Sequence, residues 1–75
     1  MTIERTIREV EDLLEDKNFF WLLRQNDTVE GRYFANICQY AGSLPPETYP
    51  SYGDSMVAAL RNSLKKFKES DHAID

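Results

Sequence analysis

Residues 19–23 read Phe-Phe-Trp-Leu-Leu, a block of large apolar side chains with no polar interruption. Its aromatic content and shortness predict a strand over Phe19 to Gln25. Alternation then places Phe19, Trp21 and Leu23 on one face and Phe20, Leu22 and Arg24 on the other. A strand that is apolar on both faces is expected to be covered on both sides. Whatever else this chain does, it must find layers for that strand.

The following segment supplies a pairing partner. Arg32 to Tyr40 alternates again, with Tyr33, Ala35 and Ile37 on one face and Phe34, Asn36, Cys38 and Tyr40 on the other. Residues 26–31 (Asn-Asp-Thr-Val-Glu-Gly) are turn formers, so the two runs predict a β-hairpin with a loop of roughly four to six residues. Pro45, Pro46 and Pro50 then exclude a helix or a central strand, leaving Tyr49 to Tyr52 room for a short edge strand.

Helices flank the hairpin. Ile3, Ile7, Val10 and Leu14 recur at helical spacing, with Leu13 at the margin, so a helix is predicted from Thr2, its N-cap, to Asp16. A second is predicted from Asp54, read as its N-cap, to Lys68, with Met56, Val57, Leu60, Leu64 and Phe67 as its apolar stripe. The order is helix, strand, strand, short strand, helix. The expected fold is an α+β two-layer sandwich around an antiparallel hairpin, one domain over residues 1–70 with an acidic tail at 71–75.

At 75 residues the chain supports one small core, and a homodimer or a partner that completes it is expected. One cysteine excludes an internal disulfide framework, and one histidine excludes the common zinc ligand sets, so no cofactor or metal is expected. No apolar run approaches the ~20 residues of a bilayer span, and no signal-like start is present. A cytoplasmic protein with no membrane partner is the expectation. The net charge of −4 counts against direct nucleic-acid contact.

The charge is unevenly placed. Residues 1–16 carry six acids and two bases, and residues 55–68 carry four bases and no acid. Glu4, Glu11, Asp12 and Glu15 lie on one side of the first helix, away from its apolar stripe. They either pair with Lys65, Lys66 and Lys68 or face a basic partner. A second candidate surface is the far strand face with Phe20, Leu22, Phe34 and Tyr40, which a two-layer fold leaves open. A third is the loop from Gln39 to Tyr52, where Tyr40, Tyr49 and Tyr52 stand among Gly and Ser, a composition suited to adaptable contacts.

Catalytic signals are weak. Gly53-Asp54-Ser55 reads as a helix cap followed by a first-turn serine, and His72, the sole histidine, falls in the tail and offers no positioned base. Cys38 inside a strand reads as a small buried residue. A non-enzymatic protein is expected.

Residues 31–68 resemble the HicB-type antitoxin domain, a reduced ribonuclease-H-like sheet. The resemblance rests on the strand Gly31-Arg32-Tyr33-Phe34-Ala35, the turn at Gly42, and Gly53-Asp54-Ser55 opening a helix with Ala58, Ala59 and Leu60. It implies strands and a helix that cap a small mRNA-cutting toxin. The chain departs from that pattern in the stretch after the second strand, here Gln39-Tyr40-Ala41-Gly42, and in its additional first helix. In size and acidity it is also similar to phage-encoded inhibitors such as anti-CRISPR proteins.

The resulting expectation is a small acidic protein, of a bacterial or phage type, that occludes a basic, nucleic-acid-handling protein. The contact residues expected are Glu11, Asp12, Glu15, Phe20, Leu22, Phe34, Tyr40, Tyr49 and Tyr52. The alternative is an oligomer that binds a nucleotide-like anion through Arg24, Arg32, Tyr40, Tyr49 and Tyr52.

Overall fold

A computed structural model describes residues 2–40 and 46–70; the expected turn at Gly42 and the acidic tail lie outside them. The elements are α1 (Ile3–Leu14), β1 (Phe19–Thr28), β2 (Gly31–Gln39), β3 (Ser51–Gly53) and α2 (Met56–Lys68). The three strands form an antiparallel sheet in the order β1-β2-β3, and the fold is α+β. No helix is long and apolar enough to cross a membrane among the described residues.

Thr2 caps α1 as expected: its hydroxyl accepts the Arg5 N–H (3.3 Å). The helix stops at Leu14 rather than Asp16. There the Lys17 N–H donates to the Leu14 carbonyl (3.0 Å), which tightens the last turn and aims the chain into β1.

The hairpin is longer than the turn-forming composition predicts. β1 runs on to Thr28, and the turn is the pair Val29-Glu30. A register shift between Gln25 and Thr28 absorbs the extra residue, with Asp27 at φ 47°. Aspartate tolerates this left-handed conformation, and its carboxylate accepts a hydrogen bond from Gln25 Nε2 (2.8 Å).

Both helices pack on the face of Phe19, Trp21, Leu23, Ala35 and Ile37. Val10 and Leu14 from α1 meet Ala59, Leu60, Leu64 and Phe67 from α2 there. Phe67 stands edge-on to Phe19 (centroids 5.0 Å) and Tyr49 (5.4 Å). The thinnest dimension of the Cα trace is 18 Å, enough for one sheet and one helical layer. The expected burial of Phe19–Leu23 on both sides is therefore half met: helices cover one face, and no element covers the other among the described residues.

α2 opens one residue later than expected. Ser55, not Asp54, is the N-cap, its hydroxyl accepting the Ala58 N–H (3.1 Å). Gly53 sets this position, because a Cβ there would lie 2.5 Å from the Ala59 nitrogen and 2.9 Å from the Ala58 carbonyl carbon. The buried stripe also shifts, to Ala59, Leu60, Ser63, Leu64 and Phe67, while Met56 is 43% exposed.

Ser63 does more than fill the stripe. β2 and β3 keep one register from Tyr33↔Gly53 to the isolated bridge Cys38↔Thr48, which sets Ile37 opposite Tyr49. The Tyr49 N–H donates to the Ile37 carbonyl (2.9 Å), but the return bond is absent. Instead the Ile37 N–H donates to Ser63 Oγ (3.1 Å), and the Ser63 hydroxyl donates to the Tyr49 carbonyl (2.5 Å). A fully buried helix side chain thus stands as one rung of the ladder. The outer edge of β3 is closed by the same helix: Asn62 Nδ2 donates to the Tyr52 carbonyl (3.1 Å) and Lys66 Nζ to that of Pro50 (2.6 Å).

Candidate functional site

The register places Phe20, Leu22 and Arg24 of β1 beside Cys38, Asn36 and Phe34 of β2, all on the uncovered face. Tyr52 of β3 joins opposite Phe34. Two aromatic clusters result. At one end Phe20 meets Tyr40 (centroids 5.0 Å). At the other, Arg24 lies over the Phe34 ring (5.0 Å) and Phe34 meets Tyr52 (5.2 Å). Leu22 and Asn36, opposite each other, lie between them. Tyr40 and Tyr52 are 50% and 39% exposed.

The acidic end of α1 meets the first cluster. A shallow groove of about 260 Å³ runs from Glu11, Leu14 and Glu15 across the start of β1 to Phe20, Trp21 and Tyr40. The short link from α1 to β1 makes this unavoidable. It brings the last helical turn beside Phe19, and the Tyr40 N–H donates to the Asn18 carbonyl (3.0 Å) at the same corner. Asp12 is exposed on α1 outside the groove. Other hollows lie along single helices, one by Thr2, Glu4, Arg5 and Arg8, another by Arg61, Asn62, Leu64, Lys65 and Lys68.

The electrostatic pairing of the helices rests on a residue the sequence did not single out. Glu9, in the middle of α1, takes Lys68 (2.8 Å) and Arg61 (3.4 Å). The Lys68 hydrogen bond foremost, with the charges of Lys68 and Arg61, holds the Glu9 carboxyl below its ordinary value against a smaller opposing effect of desolvation. Lys66 is directed at the Pro50 carbonyl instead. Glu11, Asp12 and Glu15 make no ion pair among the described residues.

Of the expected contact residues, Glu11, Glu15, Phe20 and Tyr40 are thus brought together. Leu22, Phe34 and Tyr52 continue the same face. Tyr49 is not part of it: opposite Ile37, it falls on the helical side, half-buried against Phe19 (6.3 Å) and Phe67. The alternative anion site is dispersed. Arg32 pairs with Asp27 at the hairpin tip (3.8 Å), and Tyr40 lies six strand residues from Phe34, about 20 Å away at ~3.4 Å per residue. Arg24 with Phe34 and Tyr52 is all that remains of it.

Alternation sets Arg24 on the open face with Phe20 and Leu22, and the register places it there, although the expected protein-contact surface left it out. Cys38 shares this face but is buried between Phe20 and Thr48 in the register. Desolvation pushes its thiol pKa up, the reverse of what a nucleophile needs. The Ser55 hydroxyl is engaged as the helix cap. Among the described residues no group of His, Cys, Asp and Glu could hold a metal ion. The chain matches no protein-family profile, no curated protein and no solved structure.

Proposed function

We propose that this chain is a non-enzymatic interaction protein that occludes a surface of a basic, nucleic-acid-handling protein. The observation that carries the reading is the sheet face that no element covers among the described residues, whose aromatic cluster at Phe20 and Tyr40 continues into a groove rimmed by Glu11 and Glu15. An exposed apolar patch rimmed by charge is the usual anatomy of an interface. Glu11 and Glu15, which make no ion pair among the described residues, steer a cationic surface toward the rings, and burial of the rings then holds it. An antitoxin-like or phage-inhibitor-like role, in the cytoplasm, fits such blocking chemistry.

A photo-crosslinking residue in place of Tyr40 identifies the partner in the source cell. Association of that partner is then compared for the wild type and the triple variant Glu11→Lys, Asp12→Lys, Glu15→Lys. The variant is expected to associate roughly tenfold more slowly at low salt, with the gap closing as salt rises. On-rates and a salt dependence indistinguishable from wild type would refute the electrostatic part of the reading. The surviving Arg24–Phe34–Tyr52 cluster keeps the anion-binding reading testable: no thermal shift with any nucleotide removes it.

A further inference from the structure

The two edges of the sheet are treated in opposite ways. β3 spans three residues, follows Pro50, and has its outward carbonyls at Pro50 and Tyr52 capped by Lys66 and Asn62. These are the standard means of blocking an edge against a further strand. β1 spans ten residues, and from Phe19 to Gln25 it contains no proline and no lysine. Its bulge comes after Gln25, so this stretch remains regular.

The outward groups of β1 follow from the ladder. The Tyr40 N–H reaches the Asn18 carbonyl, so even-numbered residues of β1 bond across to β2. The N–H and C=O groups of Trp21 and Leu23 therefore point away from the sheet. Among the described residues no strand pairs with that edge.

We infer that the β1 edge pairs antiparallel with β1 of a second copy, joining two three-stranded sheets into one. The register is fixed by charge. With Leu22 on the two-fold axis, Trp21 of each copy bonds to Leu23 of the other, and Arg24 of each copy stands opposite Phe20 of the other. That position borders the groove lined by Glu11 and Glu15, which make no ion pair among the described residues, so each cation meets an acidic rim. The same register keeps the two Phe19 ends about 20 Å apart, at ~3.4 Å per residue, which separates the acidic ends of the α1 helices. It also keeps both open faces on one side, doubling the aromatic surface. The inference rests on the edge and not on the partner proposed above, and its test needs no partner.

Sedimentation equilibrium of the full chain at micromolar to submillimolar concentration is expected to give a dimer, and Leu22→Lys, which sets two cations across the axis, a monomer with an unchanged far-UV spectrum. The register is read by crosslinking in a Cys38→Ser background. Leu22 faces its own copy in a non-hydrogen-bonded pair with Cα atoms about 4.5 Å apart, within disulfide reach. Leu22→Cys is expected to oxidise to a covalent dimer, whereas Arg24→Cys, too far from its own copy, is not. A monomer for the wild type throughout that range overturns the inference. So does crosslinking of Arg24→Cys as fast as Leu22→Cys.

Discussion

Replacing Ser63 by alanine removes one oxygen atom and tests whether a helix side chain is a working rung of the sheet. In the native fold that oxygen accepts from the Ile37 N–H and donates to the Tyr49 carbonyl. Without it both backbone groups lose a partner at a site where Ser63 and Ile37 are fully buried. An unsatisfied buried group costs about 1–3 kcal/mol. Tyr49 is half-buried, so its carbonyl recovers part of that cost from water. The strands cannot simply close the gap, because the flanking bonds Tyr49 N–H to Ile37 O (2.9 Å) and Gln39 N–H to Glu47 O (2.8 Å) are already at full length. The net expectation is a loss of about 2 kcal/mol.

For a domain of this size each kcal/mol moves the melting temperature by about 4–8 °C, so a fall of roughly 8–16 °C is expected. Urea unfolding followed by Trp21, the single tryptophan, should give the same loss at an unchanged m value. Hydrogen exchange localises the effect: the Ile37 amide should lose more protection than that of Ala35. A melting temperature within about 2 °C of wild type, with Ile37 still protected, would show that the ladder reforms directly and that the serine rung is dispensable.

Gly53→Ala drives a Cβ into backbone atoms of the first turn of α2, which cannot yield as a side-chain tip does, so a loss of about 1–3 kcal/mol in urea unfolding is expected. Ser55→Ala removes the α2 cap and should cost about 1 kcal/mol, with Asp54→Ala costing less; the reverse order would return the cap to Asp54. Glu9 has a folded pKa below its unfolded one, so its stabilisation is complete above the unfolded value near 4.3 and is lost as pH falls through the lowered value. The melting-temperature gap between wild type and Glu9→Gln should therefore be constant from about pH 6 to 8 and vanish in acid. Because the Glu9 side chain is 35% exposed, the stability lost in Glu9→Gln should stay below about 1 kcal/mol; a melting-temperature gap that persists at pH 3 would mean that packing, not charge, is being measured.

What the sequence made legible was the period of each segment and therefore its faces. Thr2 as cap, the split of Phe19, Trp21 and Leu23 from Phe20, Leu22 and Arg24, and the helix–hairpin–helix order all follow from local rules that tertiary contacts do not override. The departures occur where two residues meet the same local rule. Asp54 and Ser55 both suit an N-cap, and the approach of Gly53 to the α2 backbone decides between them. Asn26 and Asp27 look like a turn, but one left-handed residue lets the strand continue past them. Loop composition groups Tyr49 with Tyr40 and Tyr52, whereas its side is set by the register with Ile37, a contact between segments that no local pattern encodes. Ser63 left a faint trace, a lone hydroxyl inside an apolar stripe.

The unequal charge of the two helices takes on a different meaning once their contacts are known. Read as a sequence, four bases on α2 answer an acidic α1 as one block answers another. In the fold the basic block is largely committed within the molecule: Arg61 and Lys68 hold Glu9, and Lys66 closes the β3 edge at Pro50. Such bases contribute little to a phosphate-binding surface, because each must leave a partner before it can meet an anion. The acids are not committed in the same way. Glu9 takes Arg61 and Lys68 of α2, while Glu11 and Glu15 make no ion pair among the described residues and lie at the end of the helix that opens onto Phe20 and Tyr40. Placing negative charge at a helix C-terminus costs stability, a few tenths of a kcal/mol per exposed group, roughly. Helix folding gains nothing from that arrangement, and the contacts of α2 do not offset it. A cation brought to the groove would offset it, whether Arg24 of a second copy or a side chain of a basic protein.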